Sequence, residues 1–466
     1  MLRLHRDPFV WIALAIVATA ALLEFSRPIN HDVAWMLTAA DLMHTGRPLY
    51  RGIIEINPPL IFWISAAVRD LSVTLYIAPE TAYRTLTFLL GIGSALLVRR
   101  LTRSAWSALV LLAAGLILVG PDFGQRDILT AFLMAPYVAM ASTRSRPRHA
   151  WLIGGAAALG ICLKPFYLAI WLILVPFNQA RIADGALVLC GLIYVAAIAL
   201  LAPAYFDAVQ TLGPAYASWQ RRPVVDYMVS FTLLALIVIY ALAVANGRRY
   251  PAPGWVIGFA TAALAAHGVL ILQGKSYSYY WQPEIMFGLC AAVGLVNGSA
   301  RGARLPAVVF AGVLLTRAGW LWHAARLEQS TERAVAWAVA DLAPPPRTVF
   351  VSNFLFHGPP VFRLLHRPWR LSAPHIWWLT ESVPAAARAR LSAQIAADID
   401  GSDVVIVDQL VHGGMGDVTQ FGQALARDSA IARALARLAP PDADGPLLVY
   451  RRASKLAGAH APLTAY

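Results

Sequence analysis

The sequence predicts a polytopic α-helical membrane protein with a soluble α/β domain at its C-terminal end. Three observations predict it. Of the 466 residues, 59% are hydrophobic and only 14% are charged, where a soluble chain carries about 25% charged residues. Apolar runs about long enough to cross a bilayer recur from Pro8 to Trp322, and the mean hydropathy is +0.59. After Trp322 the composition becomes mixed, so a membrane domain is expected over 1–325 and a soluble domain over 326–466.

The net charge of +13 is distributed as a membrane protein distributes it. Its cations cluster between apolar runs, at Arg3/Arg6, Arg99/Arg100/Arg103, Arg144/Arg146/Arg148, Arg248/Arg249 and Arg301/Arg304, as the positive-inside rule expects. That placement favours a lipid bilayer as partner and argues against nucleic acid. Cys162, Cys190 and Cys290 lie inside apolar runs, which fits neither a disulfide framework nor a metal cluster. Met1–Arg6 followed by an apolar run to Leu23 has the layout of a signal anchor. Glu24-Phe25-Ser26-Arg27 is a poor cleavage site, so the segment is expected to stay attached.

With each arginine cluster placed in the cytoplasm, the elements follow in order. Run 8–25 goes out, 82–98 returns, 104–120 goes out and 128–143 returns. Runs 150–163 and 165–177 form a short pair broken at Lys164-Pro165, with the break outside. Runs 184–203, 227–245, 252–272, 283–297 and 305–322 then alternate, giving about eleven spans with the C-terminal domain outside. Pro59–Ile77 has no place as a span. Arg69-Asp70 interrupts it, and a charge at mid-membrane costs about 2.5–3.5 kcal/mol on the insertion scale. It is expected to lie at the outer interface, within an outer loop over 27–80 that carries juxtamembrane helices.

This topology gathers the unusual polar residues on one side: His31-Asp32, Glu55-Ile-Asn57, Gln125-Arg126-Asp127, Lys164, Arg221-Arg222 and Lys275-Ser-Tyr277. Carboxylates mixed with cations at a membrane edge suit an anionic substrate and a proton acceptor. Several have a plainer reading beside that one. Asp32 opens the helical pattern Val33–His44 and Asp127 opens run 128–143, where an Asp is a common N-cap. Arg126 and Asp127 could also form a structural ion pair. Lys164 could snorkel. His267, on an apolar run, reads as packed core. Glu55 and Asn57 have no helical or capping reason, and Arg221-Arg222 runs against the charge bias. His31, Asp32, Asp41 and His44 are too loosely spaced for a metal site, and no cofactor is indicated.

The order of these features resembles a known family. His31-Asp32-Val-Ala-Trp-Met-Leu-Thr-Ala-Ala-Asp41, Thr45-Gly-Arg-Pro-Leu-Tyr50 and Asn57-Pro-Pro-Leu-Ile-Phe-Trp63 resemble the first outer loop of GT-C glycosyltransferases. The branch is that of the protein O-mannosyltransferases, lipid A aminoarabinose transferases and rhizobial galacturonosyl transferases. Tyr83-Arg84-Thr-Leu, Gln125-Arg-Asp-Ile-Leu-Thr-Ala-Phe132, Gly160-Ile-Cys-Leu-Lys-Pro165 and Gly274-Lys-Ser-Tyr-Ser-Tyr-Tyr-Trp-Gln-Pro283 fit the same pattern across most of 1–300.

The resemblance implies a polyprenyl-phosphate-linked sugar donor and a cell-envelope acceptor (lipid A, glycan or protein) at the periplasmic face of a bacterial inner membrane. It maps the catalytic base onto Asp32 and the carrier-phosphate ligands onto Arg126 and Lys164. By their place among the outer-face polar residues, Glu55 and Asp127 are further candidate catalytic carboxylates, and Arg221, Arg222, Lys275, Tyr277, Asn57 and Tyr280 are candidate donor-binding residues. Many relatives have Asp-Glu where Asp32-Val33 stands here, which leaves one carboxylate at that spot. Single displacement with inversion is the expected chemistry, because phosphate leaves without a general acid. Two alternatives stay open: a lipid-linked-sugar flippase, and an inactive scaffold that binds a polyprenyl carrier.

In the C-terminal domain, 348–355, 403–408 and 446–452 read as buried strands and 384–400 and 417–438 as helices, an α/β arrangement. His412-Gly-Gly-Met-Gly-Asp417 lacks the spacing of a phosphate loop and reads as a turn with Asp417 as N-cap.

Overall fold

An apolar chain in lipid must satisfy its own backbone groups, and helices do so within one segment. The computed structural model describes residues 7–249, 254–275, 277–298, 301–340, 347–353, 355, 358–408, 418–444 and 447–452. Arg3, Arg6 and the His412–Asp417 stretch lie outside the described residues. The helices through the first half are α1 Pro8–Phe25, α2 His31–His44, α3 Leu60–Leu75, α4 Pro79–Thr102, α5 Ala105–Ala113, α6 Arg126–Ser142, α7 Ala150–Leu163, α8 Leu168–Leu174 and α9 Arg181–Leu201. Then come α10 Ala204–Ser218, α11 Val224–Met228, α12 Phe231–Arg249, α13 Gly254–Gln273, α14 Gln282–Gly298 and α15 Arg301–Ala340. Among the described residues, five helical segments are long and apolar enough to cross a membrane: Pro8–Phe25, Pro79–Thr102, Arg181–Leu201, Gly254–Gln273 and Arg304–His323. Shorter apolar helices follow at Ala105–Leu118, Ala150–Leu163, Pro165–Phe177 and Phe231–Ala245. This is a multi-pass membrane protein.

The chain divides into two compact units. The first comprises Met1–Val33, Pro58–Leu201 and Arg221–Gln329; the second comprises Ala34–Asn57, Ala202–Gln220 and Ser330–Tyr466. The unit that holds the C-terminal sheet thus also takes in part of the expected outer loop and the whole of α10, a helix where the sequence predicts only a connection.

In the first unit α6 is buried from Arg126 to Ala141 except at Leu133 and packs against α4, α7 and α13. Small residues bring helices together, as in membrane bundles generally. A Cβ on Gly154 of α7 would sit 2.0 Å from the Ala183 carbonyl oxygen of α9, so only glycine permits that approach. Pro136 stands inside α6, has no N–H, and so frees the carbonyl four residues earlier. That carbonyl, on Phe132, accepts a hydrogen bond from the Ser94 hydroxyl of α4 at 2.7 Å. Residues 165–177, read as one run, are a 3-10 turn, the seven-residue α8 and a second 3-10 turn, because Pro165 and Pro176 interrupt the ladder. In α3, Ile61, Phe62, Ser65, Val68 and Ser72 are buried while Leu71, Val73 and Leu75 are exposed, a helical stripe.

The second unit contains β1 Thr348–Val351, α16 Pro359–Leu364, α17 Ala385–Asp400, β2 Val404–Asp408, α18 Val418–Arg427, α19 Ser429–Ala436, β3 Asp442–Asp444 and β4 Leu447–Arg451. The sheet order is β1-β2-β4-β3, with β1 and β2 parallel and the other pairs antiparallel. Every residue of β1 and β2 is buried, which explains their unbroken apolar runs. The sequence does not predict β3, since Asp-Ala-Asp has little strand propensity. The helix expected over 417–438 is two: the Asp428 carboxylate accepts from the Ala430 and Ile431 N–H groups at 3.1 Å and starts α19 as its N-cap. The early segments are tied into this unit by Asp41–Arg363 at 2.8 Å, Arg47–Asp398 at 3.6 Å and the Ile54 N–H to the Ser372 carbonyl at 2.7 Å.

Candidate active site

The site in the first unit begins where α2 begins. Asn30, not Asp32, caps this helix: its side-chain oxygen accepts from the Asp32 N–H at 2.9 Å. The Asp32 carboxylate is therefore left for other partners. Gln125 Nε2 donates to it at 2.9 Å and to the Asn30 oxygen at 2.7 Å, while Asn30 Nδ2 donates to the Pro121 carbonyl at 3.0 Å. A chain of amides thus fixes the carboxylate. Burial pushes its pKa up, but His31, Arg126, the Gln125 amide and Lys164 together hold it below the usual carboxylate value. Burial also depresses the His31 imidazole against the pull of Asp32, which lies 3.9 Å from its Nε2.

The next carboxylate is engaged differently. Asp127, fully buried in the first turn of α6, lies 3.0 Å from Lys164 Nζ and accepts from the Tyr167 hydroxyl at 3.0 Å. The cation 3.0 Å from it comes from the break between α7 and the following 3-10 turn, and the Asp127 charge also acts on Arg126. Lys164 also donates to Gln273 Oε1 at 3.0 Å and stands 3.7 Å from the centre of the Tyr280 ring. An ammonium has three N–H donors, and these three neighbours occupy them. Burial, foremost, and Arg126 lower the Lys164 pKa to about 8 against the pull of Asp127.

Tyr280 belongs to a 3-10 turn over Ser278–Trp281 that packs its rings on one another. Tyr279 and Tyr280 meet edge to face at 4.7 Å, and Tyr277 stacks on Tyr279 at 5.6 Å. The Ser278 hydroxyl donates to Asp122 at 2.9 Å. Sequence reasoning misses Asp122: in Gly120-Pro121-Asp122 it looks like a turn former. Burial, and the charges of Asp32 and Asp127, raise its pKa to about 7 against the Ser278 hydroxyl. Gly120 has φ +54, and a Cβ there would fall 1.6 Å from Trp322 Cδ1, so the turn that carries Asp122 requires glycine.

Arg221 and Arg222 are exposed, whereas Lys275 is buried. Their two segments meet: the Arg222 N–H donates to the Gly274 carbonyl at 2.8 Å, and a Cβ on Gly274 (φ +64) would be 3.1 Å from Arg221 Cγ. The structure thus brings Asp32, Arg126, Asp127, Lys164 and Tyr280 together and adds Gln125, Asp122, Tyr167 and Gln273. Glu55 and Asn57 belong to the other unit. There Glu55 Oε2 accepts from Trp35 Nε1 at 2.5 Å, and Oε1 accepts from the Ile56 N–H and from both nitrogens of Asn57 at 2.7–2.8 Å. Four donors on one carboxylate make a brace for the turn into Pro58-Pro59. Among the described residues no group of three His, Cys, Asp or Glu could hold a metal ion.

No family model matches the sequence, and no curated protein matches it significantly. Among solved structures, the chain is similar to ArnT from Cupriavidus metallidurans bound to undecaprenyl phosphate. The two share 14% identity over 97% of this chain and 98% of that one, with a TM-score of 0.54. ArnT in the apo state aligns over the same shares with 15% identity and a TM-score of 0.48.

Proposed function

From a chain whose fold is that of ArnT, an aminoarabinose transferase of the GT-C glycosyltransferase class, we propose that this protein transfers a sugar from a polyprenyl-phosphate-linked donor to a cell-envelope acceptor at the periplasmic face. The observation that carries the reading is Asp32: a partly buried carboxylate whose pKa His31, Arg126, Gln125 and Lys164 hold down, with two buried cations in Arg126 and Lys164. About eleven spans of an inner membrane, with the C-terminal sheet outside, complete it.

The acceptor hydroxyl or amine attacks the anomeric carbon, the carbon–oxygen bond to phosphate breaks, and polyprenyl phosphate leaves with the electron pair. Asp32 takes the proton from the nucleophile, and the anomeric centre inverts. Arg126 meets the phosphate by paired N–H bonds, with Arg221 and Lys275 as further cations and Tyr277 against the sugar, whereas Arg222 lines a separate cleft. Lys164 reaches the phosphate by exchanging Gln273 or the Tyr280 ring for it, while Asp127 stays as its counter-ion. Glu55 and Asn57 shape the loop. No cofactor takes part.

Asp32→Asn should lower transfer about 10²–10⁴-fold, the span of general-base catalysis, with insertion and yield unchanged. The measurement is release of undecaprenyl phosphate from a radiolabelled lipid-linked sugar by purified protein. Wild-type activity in this variant would remove Asp32 as base. Movement of the lipid across the bilayer without release by the wild type would assign a flippase instead, and binding without either would assign a scaffold.

A further inference from the structure

The Ser278–Trp281 turn has a second side that the proposed chemistry leaves unused. Tyr280 faces Lys164, whereas its neighbour Trp281 lies under the Arg317 guanidinium, 4.1 Å from ring centre to Cζ. The Trp320 ring lies 4.5 Å from the same guanidinium. Arg317 falls within the apolar segment Arg304–His323, where a cation marks function by default. It opens onto a cleft of about 860 Å³ in the first unit, whose lining includes Arg222, Asp226, Tyr227, Trp281, Arg317 and Trp320.

Two features of the cleft define its occupant. Its wall keeps buried polar atoms with no hydrogen-bond partner among the described residues: the Tyr227 hydroxyl, Trp281 Nε1 and Arg317 Nε. Such groups in a native fold call for a partner from outside it. Its rim is apolar and exposed, with Val229, Phe231, Val309 and Trp320 all more than half uncovered. The lining charges are Arg222, Arg317 and Asp226, a net single positive. An amphiphile with one negative charge and hydroxyl donors complements all of this. Its phosphate sits on the guanidinia, its hydroxyls donate to Asp226 and its acyl chains lie along the rim.

We propose that this cleft binds a phospholipid with a hydroxylated anionic headgroup, of the phosphatidylglycerol type, at a site separate from the one that holds Lys164. The inference stands on the cleft alone and does not require sugar transfer.

The test is native mass spectrometry of the delipidated full chain titrated with phosphatidylglycerol, phosphatidylcholine and sn-glycerol 3-phosphate in parallel. Wild-type protein should keep one phosphatidylglycerol, with phosphatidylcholine bound about tenfold more weakly, the loss of one charged hydrogen-bonded contact. Arg317→Gln should lower phosphatidylglycerol retention by about the same factor. Gly312→Leu is the companion variant: Gly312 lines the cleft, and a Cβ there meets nothing within 4 Å. Leucine should fill the space without disturbing the helix and abolish retention. Wild-type retention in both cleft variants overturns the proposal. So does equal binding of glycerol phosphate, which would remove the lipid, and so does displacement of phosphatidylglycerol by undecaprenyl phosphate, which would assign the cleft to the carrier. Loss of sugar transfer with retention preserved would bear on the enzymatic reading only.

Discussion

At the scale of single residues, the buried Lys164–Asp127 pair makes the sharpest stability prediction. Removing one partner leaves the other charge buried and unmatched, at a cost of about 3–5 kcal/mol. Lys164→Gln should therefore unfold at markedly lower denaturant than wild type. The double variant Lys164→Gln/Asp127→Asn should recover most of the loss, because the amide oxygen that replaces the carboxylate can still accept from the Tyr167 hydroxyl. Asp122 predicts a pH dependence. Its pKa is raised from 3.8 to about 7, so the folded state holds a proton that the unfolded chain has released. Its contribution is complete below about pH 4 and is lost as pH rises through 7. Thermal unfolding in detergent should show wild-type stability declining from pH 5 to 8, and Asp122→Asn should flatten that part of the curve. An unchanged slope would place the titrating group elsewhere. Of these residues, Asp32, Arg126, Asp127 and Lys164 were legible as polar groups at membrane edges. Asp122, Tyr167 and Gln273 were not, because a turn aspartate, an aromatic in an apolar run and a helix-end amide look ordinary until packing removes their water.

At the scale of elements, the Ser94–Phe132 hydrogen bond repairs a ladder that Pro136 breaks. Ser94→Ala should cost about 0.6 kcal/mol, and at most about 1.7, the range for hydrogen bonds between membrane helices. In a Pro136→Ala background residue 136 regains its N–H and can donate to Phe132, so the same serine change should be nearly silent. Chemical unfolding of the four variants measures the coupling. Apolar composition located these helices well, since a segment in lipid has little alternative. It located their interruptions less well. Pro165 and Pro176 split a run that looked continuous, Asp428 split a helix, and α10 formed where length and polarity suggested a connection. The strand β3 rests on pairing with β4, a tertiary fact that three residues cannot announce.

For the whole molecule, the division into units differs from the order of the sequence. The sheet of the second unit shares it with Ala34–Asn57 and Ala202–Gln220, and the ties are specific. Asp41 and Arg47 pair with Arg363 and Asp398, while Tyr216 and Trp219 pack edge to face and tilted on Trp377. Residues 341–466 expressed alone should therefore lack a cooperative thermal transition, although their composition is that of a soluble domain. A sharp transition in that fragment would show the early segments to be dispensable. Composition marked where apolar runs end near Trp322; it could not reveal which distant segments complete the unit beyond.

Neighbouring rings on the Ser278–Trp281 turn rest on two different cations, Tyr280 on Lys164 and Trp281 on Arg317. The two rings are consecutive in one 3-10 turn, so displacement of one is expected to shift the other. The indole of Trp281 consequently works as an optical gauge built into the chain: the emission difference between wild type and Trp281→Phe should change when undecaprenyl phosphate is added, and the change should vanish when Lys164 is replaced.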